Sequence, residues 1–252
     1  MAGIKTTKKR VVKKREVARR AKPRAQHAPL TQTPMKRGAL APDRVAAILK
    51  ALDEAYPNAV CALHHRTPWE LLVATILSAQ CTDVRVNMVT PELFRRFPAP
   101  EAMAKAGLPE LENLIKTTGF FRNKAKSIQG AARKIIADFG GKVPQTLVEL
   151  ITVPGAARKT ANVVLGVSFG LAEGVVVDTH VFRIARRLEL AKGDTPQKVE
   201  QALMQVLPQD HWIRFSHQVI DHGRKVCIAR NPKCRECNLE TLCRSKDKTW
   251  QS

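Results

Sequence analysis

The chain has 252 residues, 44% of them apolar, and 43 Lys+Arg against 22 Asp+Glu give a formal net charge of +21. That length suits one large domain or two smaller ones, and so basic a balance points to a polyanion, most often nucleic acid, rather than to a merely soluble basic protein. The longest apolar stretch, 160–177, is interrupted by Asn162, several glycines and Glu173, which excludes a membrane span.

In chain order, a basic tail over 1–42 comes first. Residues 1–40 hold 13 Lys/Arg and one acid, Glu16, a charge of +12 that leaves +9 for the rest. Few large apolar residues and several prolines predict a disordered tail that holds DNA by charge. A transit peptide would also be Arg-rich and acid-poor, but such peptides are Ser-rich, and the first serine is Ser78. No apolar segment follows the charges as a secretory signal requires, so the chain reads as soluble and intracellular.

Past the tail, helical spacing recurs and strand-like alternation is nearly absent. Val45, Ile48, Leu49, Leu52 and Tyr56 fall on one helical face, with Asp43 as the expected cap. Thr67-Pro68-Trp69-Glu70 is a capping box opening an apolar helix through Leu77. Further helices fit Pro109–Thr117, Asn123–Phe139, Pro144–Ile151, Lys159–Phe169, Thr179–Leu188, Pro196–Leu207 and His211–His222. The expectation is an all-α protein of about ten helices.

Four cysteines close the chain: Cys227-x6-Cys234-x2-Cys237-x5-Cys243. Nothing points to secretion, so a metal is expected rather than disulfides. The spacing admits zinc or a cubane iron–sulfur cluster; only one tight Cys-x2-Cys knuckle is present, which favours the cluster. Arg230, Lys233 and Arg235 make the stapled loop basic, as phosphate contact requires. Cys61 and Cys81 read as ordinary core residues.

The stretch "ITVPGAARKT" (151–160) places Arg158 and Lys159 at a helix N-terminus, where the macrodipole favours anions. The dipole disfavours an ammonium there, a nearby carboxylate would act against the dipole, and a lysine that can shed its proton is a nucleophile. Asp178, where an apolar run becomes a helix in "VVVDTHVFRIARRL", is placed to be an N-cap.

Together, "VPGAARKTANVV", "VDTH" nineteen residues after the lysine, "LSAQCTD" (77–83), "HGRKVCIAR" (222–230) and the cysteine spacing resemble the endonuclease III family of DNA repair glycosylases. The resemblance runs from about Asp43 to Cys243. It implies two α-helical domains, 61–172 with a helix–hairpin–helix and 43–60 plus 173–252 with the cluster, and a DNA-binding cleft between them. The four cysteines would hold a [4Fe–4S] cluster. The implied activity is a glycosylase with β-elimination lyase, acting on oxidised pyrimidines or abasic sites in duplex DNA. Lys159 would attack C1′ of a flipped nucleotide and form a Schiff base, with Asp178 assisting. Gln80 would fill the stack and Phe120 wedge the opposite strand; without the resemblance, Gln80 is a polar helix end and Phe120 a core aromatic. Gly155, Ala157, Arg158, Arg230 and Lys233 would contact DNA. The protein would be a cytoplasmic, nucleoid-associated monomer.

Two departures stand out. Ala157 occupies the second glycine position of the family's Pro-Gly-x-Gly hairpin; if that position needs φ > 0, the alanine costs about 1 kcal/mol or more and weakens the phosphate grip. Asn231 stands where the family often has a cation. Ala157 leaves open a DNA-damage-binding or redox-sensing paralogue with weak or lost catalysis. A monofunctional adenine glycosylase fits less well, because "ELLVATILSAQ" has no acid after Glu70 and Lys159 is present.

Overall fold

A computed structural model describes residues 41–249, and the tail expected over 1–42 lies almost wholly outside them. Among the described residues there are eleven α-helices, a few single 3-10 turns and no strand. The all-α expectation holds.

Helix α1 (Pro42–Ala55) buries Val45, Ile48, Leu49 and Leu52. Its N-cap is Ala41, not Asp43 as expected; Pro42 takes the first helical position and moves Asp43 into the first turn, where its charge meets the dipole. Helix α2 (Pro68–Leu77) opens as expected. The Thr67 hydroxyl accepts from the Glu70 amide at 3.1 Å. The Glu70 carboxylate reaches back to the Arg66 amide at 2.7 Å and to its guanidinium at 2.8 Å. Every residue from Trp69 to Leu77 is buried, so α2 is a central core helix.

Helices α3 (Asp83–Arg96) and α4 (Pro100–Lys105) were not anticipated. Helix α3 contains Pro91 and buries only Val86, Thr90, Leu93 and Phe94. Helix α4 has six residues, too few for a periodic signal. Helices α5 (Leu108–Ile115) and α6 (Phe121–Phe139) follow. Helix α7 is a single turn, Leu147–Leu150, capped by Thr146, shorter than the expected Pro144–Ile151. Helices α8 (Arg158–Phe169), α9 (Thr179–Arg187), α10 (Pro196–Val206) and α11 (Trp212–Lys225) complete the set.

The buried apolar side chains form two clusters. One runs from Leu63 to Leu165 and joins α2, α3, α5, α6 and α8. The other joins α1, α9, α10 and α11 with Val175, Val177 and Leu239. Polar contacts bridge the two. Glu200 on α10 accepts from Arg158 Nε at 2.9 Å and from Asn162 Nδ2 at 2.8 Å. Arg224 on α11 meets Asp83 on α3 at 2.5 Å. Helices α9 and α11 approach closely at Gly223, where a Cβ would stand 2.7 Å from His180 Nδ1.

Candidate active site and nucleic-acid interface

The hairpin "VPGAARK" is wedged between α2 and α6. Gly155 has φ +82°, and a Cβ there would lie 3.0 Å from Ser127 Cβ and 3.2 Å from Ile76 Cγ2. Glycine is therefore required twice over, by conformation and by space. Ala157 has φ −66° and ψ 166°, an extended conformation that any residue adopts. The feared strain at the alanine is absent: the left-handed residue of this turn is Gly155. Ala157 caps α8 without a side-chain hydrogen bond, so among the described residues the first turn has no side-chain cap. An uncapped helix N-terminus behind a tight turn is an anion site.

Lys159 is the second residue of α8 and is exposed. Arg158 is drawn sideways to Glu200, which is 5% exposed. Its Nε is thus committed to a bridge between the two clusters, a contact that the expected DNA role did not include. Glu200 and Asn162 were missed because their partners lie 42 and 38 residues apart in sequence.

Asp178 is the N-cap of α9. Its Oδ1 accepts from the His180 and Val181 amides, both at 2.8 Å. No hydrogen bond engages Oδ2 among the described residues. The capping reading holds, and it leaves one carboxylate oxygen for other work. Burial keeps the His180 pKa below its ordinary value, while the Asp178 charge pulls it up and Arg183 and Arg224 push it down. The Asp83–Arg224 pair ties this region to the turn that carries Gln80.

Four non-glycine residues among those described have positive φ: Gln80, Phe120, Glu189 and Asn231. Two of these are the expected stack-filling and wedge residues. Gln80 (φ 52°) is exposed just beyond α2. Phe120 (φ 47°) follows Gly119 (φ 70°) and is 66% exposed. It is therefore not a core aromatic. Large residues held in left-handed conformations mark places where the fold imposes a local shape, commonly at sites of function.

All four C-terminal cysteines line one cavity of about 30 Å³, together with Arg187, Val226 and Pro232 among others. No three His, Cys, Asp or Glu side chains among the described residues are arranged to hold a metal ion. Burial raises the Cys237 pKa to about 11, and the other three thiols push it the same way. Burial also raises Cys227, which Arg187 partly offsets. Cys227 and Cys237, both partly buried, need a cationic group to be held as thiolates. Arg187, unforeseen in the sequence, braces the loop: Nη1 reaches Cys227 Sγ at 3.3 Å and the Ile228 carbonyl at 2.9 Å. His222 Nε2 lies 3.6 Å from Cys237 Sγ. Arg230 and Lys233 are exposed, Lys233 beside Glu236 at 3.8 Å. Asn231 adopts φ 52°, which asparagine tolerates better than most side chains. Cys61 and Cys81 are partly buried against the first cluster.

Residues 73–209 match the HhH-GPD superfamily of base excision DNA repair proteins. The chain belongs to that superfamily. It is 56% identical over 202 residues to endonuclease III of Synechocystis sp., covering 80% of this chain and 92% of that one. Endonuclease III of Escherichia coli (strain K12) is 40% identical over 201 residues, with 80% and 95% covered. Among solved structures, a non-covalent endonuclease III–DNA complex superposes with a TM-score of 0.77 at 41% identity, covering 81% of this chain and 96% of that chain. A trapped covalent endonuclease III–DNA intermediate matches to the same degree. This HhH-GPD protein is a base excision repair glycosylase with lyase activity. The reading in which catalysis is lost has no support, and its ground, a strained Ala157, is gone. Among the described residues no helix is long and apolar enough to cross a membrane.

Proposed function

We propose that Lys159 is the nucleophile of a reaction on oxidised pyrimidines, such as thymine glycol, and on abasic sites in double-stranded DNA. The amine attacks C1′ of the extruded nucleotide and the base leaves with the glycosidic electron pair. Loss of the ring oxygen from C1′ gives the Schiff base, and β-elimination breaks the strand 3′ to the lesion. The observation that carries this is an exposed lysine at an uncapped helix N-terminus, behind a turn that only glycine can make. Asp178 holds α9 with Oδ1 and offers Oδ2 to the positive charge that develops on the sugar and to the protons in transit. Gly155, Ala157 and the first turn of α8 hold a phosphate, with Arg158, Arg230 and Lys233 adding charge. Gln80 and Phe120 occupy the gap left by the flipped nucleotide.

The two apolar clusters are read as the cores of two domains, 61–172 and 43–60 plus 173–252, with DNA between them. Cys227, Cys234, Cys237 and Cys243 would hold a [4Fe–4S] cluster. That the four cysteines line one cavity supports a shared metal site, and their spacing favours the cluster over zinc. When bound, the cluster pins the loop that carries Arg230 and Lys233. The enzyme acts as a monomer on DNA inside the cell, in a bacterium at the nucleoid.

Borohydride trapping on a duplex with one thymine glycol tests this. Wild type should give a covalent adduct and Lys159→Gln none; trapping undiminished in Lys159→Gln would overturn the assignment. Asp178→Asn separates the two roles of the aspartate. Asparagine caps as well as aspartate, so stability should stay within about 0.5 kcal/mol, while base release falls on the order of 100-fold. The same preparations should be yellow-brown and carry about four irons per chain; a colourless protein with one zinc refutes the cluster.

A further inference from the structure

Lys124 lies in α6 and its side chain is only 5% exposed. A lysine is seldom buried without a partner. Its Nζ donates to the Thr118 carbonyl at 2.7 Å. Thr118 is buried too, and its hydroxyl donates to the Ile115 carbonyl at 2.8 Å. The backbone N–H of Lys124 donates to the Phe120 carbonyl at 3.1 Å. One residue therefore grips the turn Thr118-Gly119-Phe120 at both ends, and between the grips lie the left-handed Gly119 and Phe120. An ammonium on a flexible stem suits this task, because it can reach a carbonyl that the helix ladder leaves out. Burial lowers the Lys124 pKa, and Cys81 is the neighbour whose charge opposes this. Cys81 directly follows the left-handed Gln80 and packs against the same apolar cluster. The buried ammonium thus sits beneath the left-handed turn of Gly119 and Phe120.

We propose that Lys124 is a positioning residue that holds the turn of Phe120 in its left-handed shape, so that base extrusion depends on it more than sugar chemistry does. This rests on the reading of Gln80 and Phe120 as the residues that enter the stack. Removing an intact base requires unstacking it, whereas a preformed abasic site has no base to unstack. The two reactions should therefore separate.

The full-length protein serves for the test, as wild type, Lys124→Met, Phe120→Ala and Gln80→Ala. Single-turnover base release is measured on a thymine glycol duplex, and strand cleavage on a duplex with a preformed abasic site. Both rates are normalised to the fraction of protein that borohydride traps on the abasic duplex. Lys124→Met is expected to slow base release about tenfold or more and to leave abasic cleavage within about threefold. Base release at the wild-type rate in Lys124→Met overturns the proposal, and so does an equal loss of both reactions, including the total loss an unfolded variant gives. If Phe120→Ala and Gln80→Ala also release base at the wild-type rate, the stack-entry reading itself fails and this proposal falls with it. If those two are slow and Lys124→Met is not, only the proposal falls.

Discussion

Gly155 and Ala157 stand two residues apart and make opposite demands. Gly155→Ala puts a Cβ at φ +82° and 3.0 Å from Ser127, and should cost about 1–3 kcal/mol with weaker binding to any duplex. Ala157→Gly should change stability by less than about 1 kcal/mol, because φ −66° suits alanine and glycine is an acceptable N-cap. Urea unfolding of both variants measures the contrast, and equal costs would contradict the assigned backbone. Single residues were only partly legible. Lys159 and Asp178 stood out by their place at helix starts, and each lies where its motif put it. The conformation at Ala157 was left open because a sequence names a side chain and not its φ. The partner of Arg158 was invisible because a buried glutamate 42 residues away reads locally as an ordinary helix acid.

At the scale of elements, Glu200 joins α8 and α10. It accepts two bonds from Arg158 Nε and one from Asn162, and Gly174 leaves it room: a Cβ there would be 2.2 Å from Oε1. Glu200→Ala strands the buried Asn162 amide and the bound face of Arg158. A loss of about 2–4 kcal/mol is expected, discounted for the half-exposed guanidinium. Trapping by Lys159 should fall as well, since its helix loses an anchor. A denaturation midpoint unchanged from wild type would refute the bridge. Elements with a clean apolar stripe, such as α1, α6 and α10, were readable because burial on one face leaves a periodic mark. Helix α2 was readable by its cap and its unbroken apolar run. Helix α3 escaped because Pro91 interrupts its pattern, and α4 because six residues carry too little of one.

Across the molecule, charge is the most legible property and the least specific. The +12 carried by residues 1–40 belongs to a segment outside the described structure, so its role follows from electrostatics alone. Deleting 1–40 should weaken binding on every DNA sequence. It should also flatten the salt dependence, by about 0.9 in logarithmic slope for each phosphate the tail had neutralised. Titrating damaged and undamaged duplexes across a salt series checks this; a loss confined to the damaged duplex would give the tail a specific role. That the chain's described residues are all-helical was legible because helical spacing recurs from Val45 onward. How its two apolar clusters meet was not, since the Asp83–Arg224 and Arg158–Glu200 pairs join residues far apart in the chain.

The left-handed turns at Gln80 and Phe120 exist in the protein by itself. With Gln80 and Phe120 in the stack-entering role proposed above, their shaping is completed during folding and need not be repeated at each base pair the enzyme visits. The time spent at a sound pair is then governed by how readily the duplex opens, not by rearrangement of the protein. Discrimination passes in part to the lesion: a damaged base that stacks poorly yields first, to a tool already in its final form.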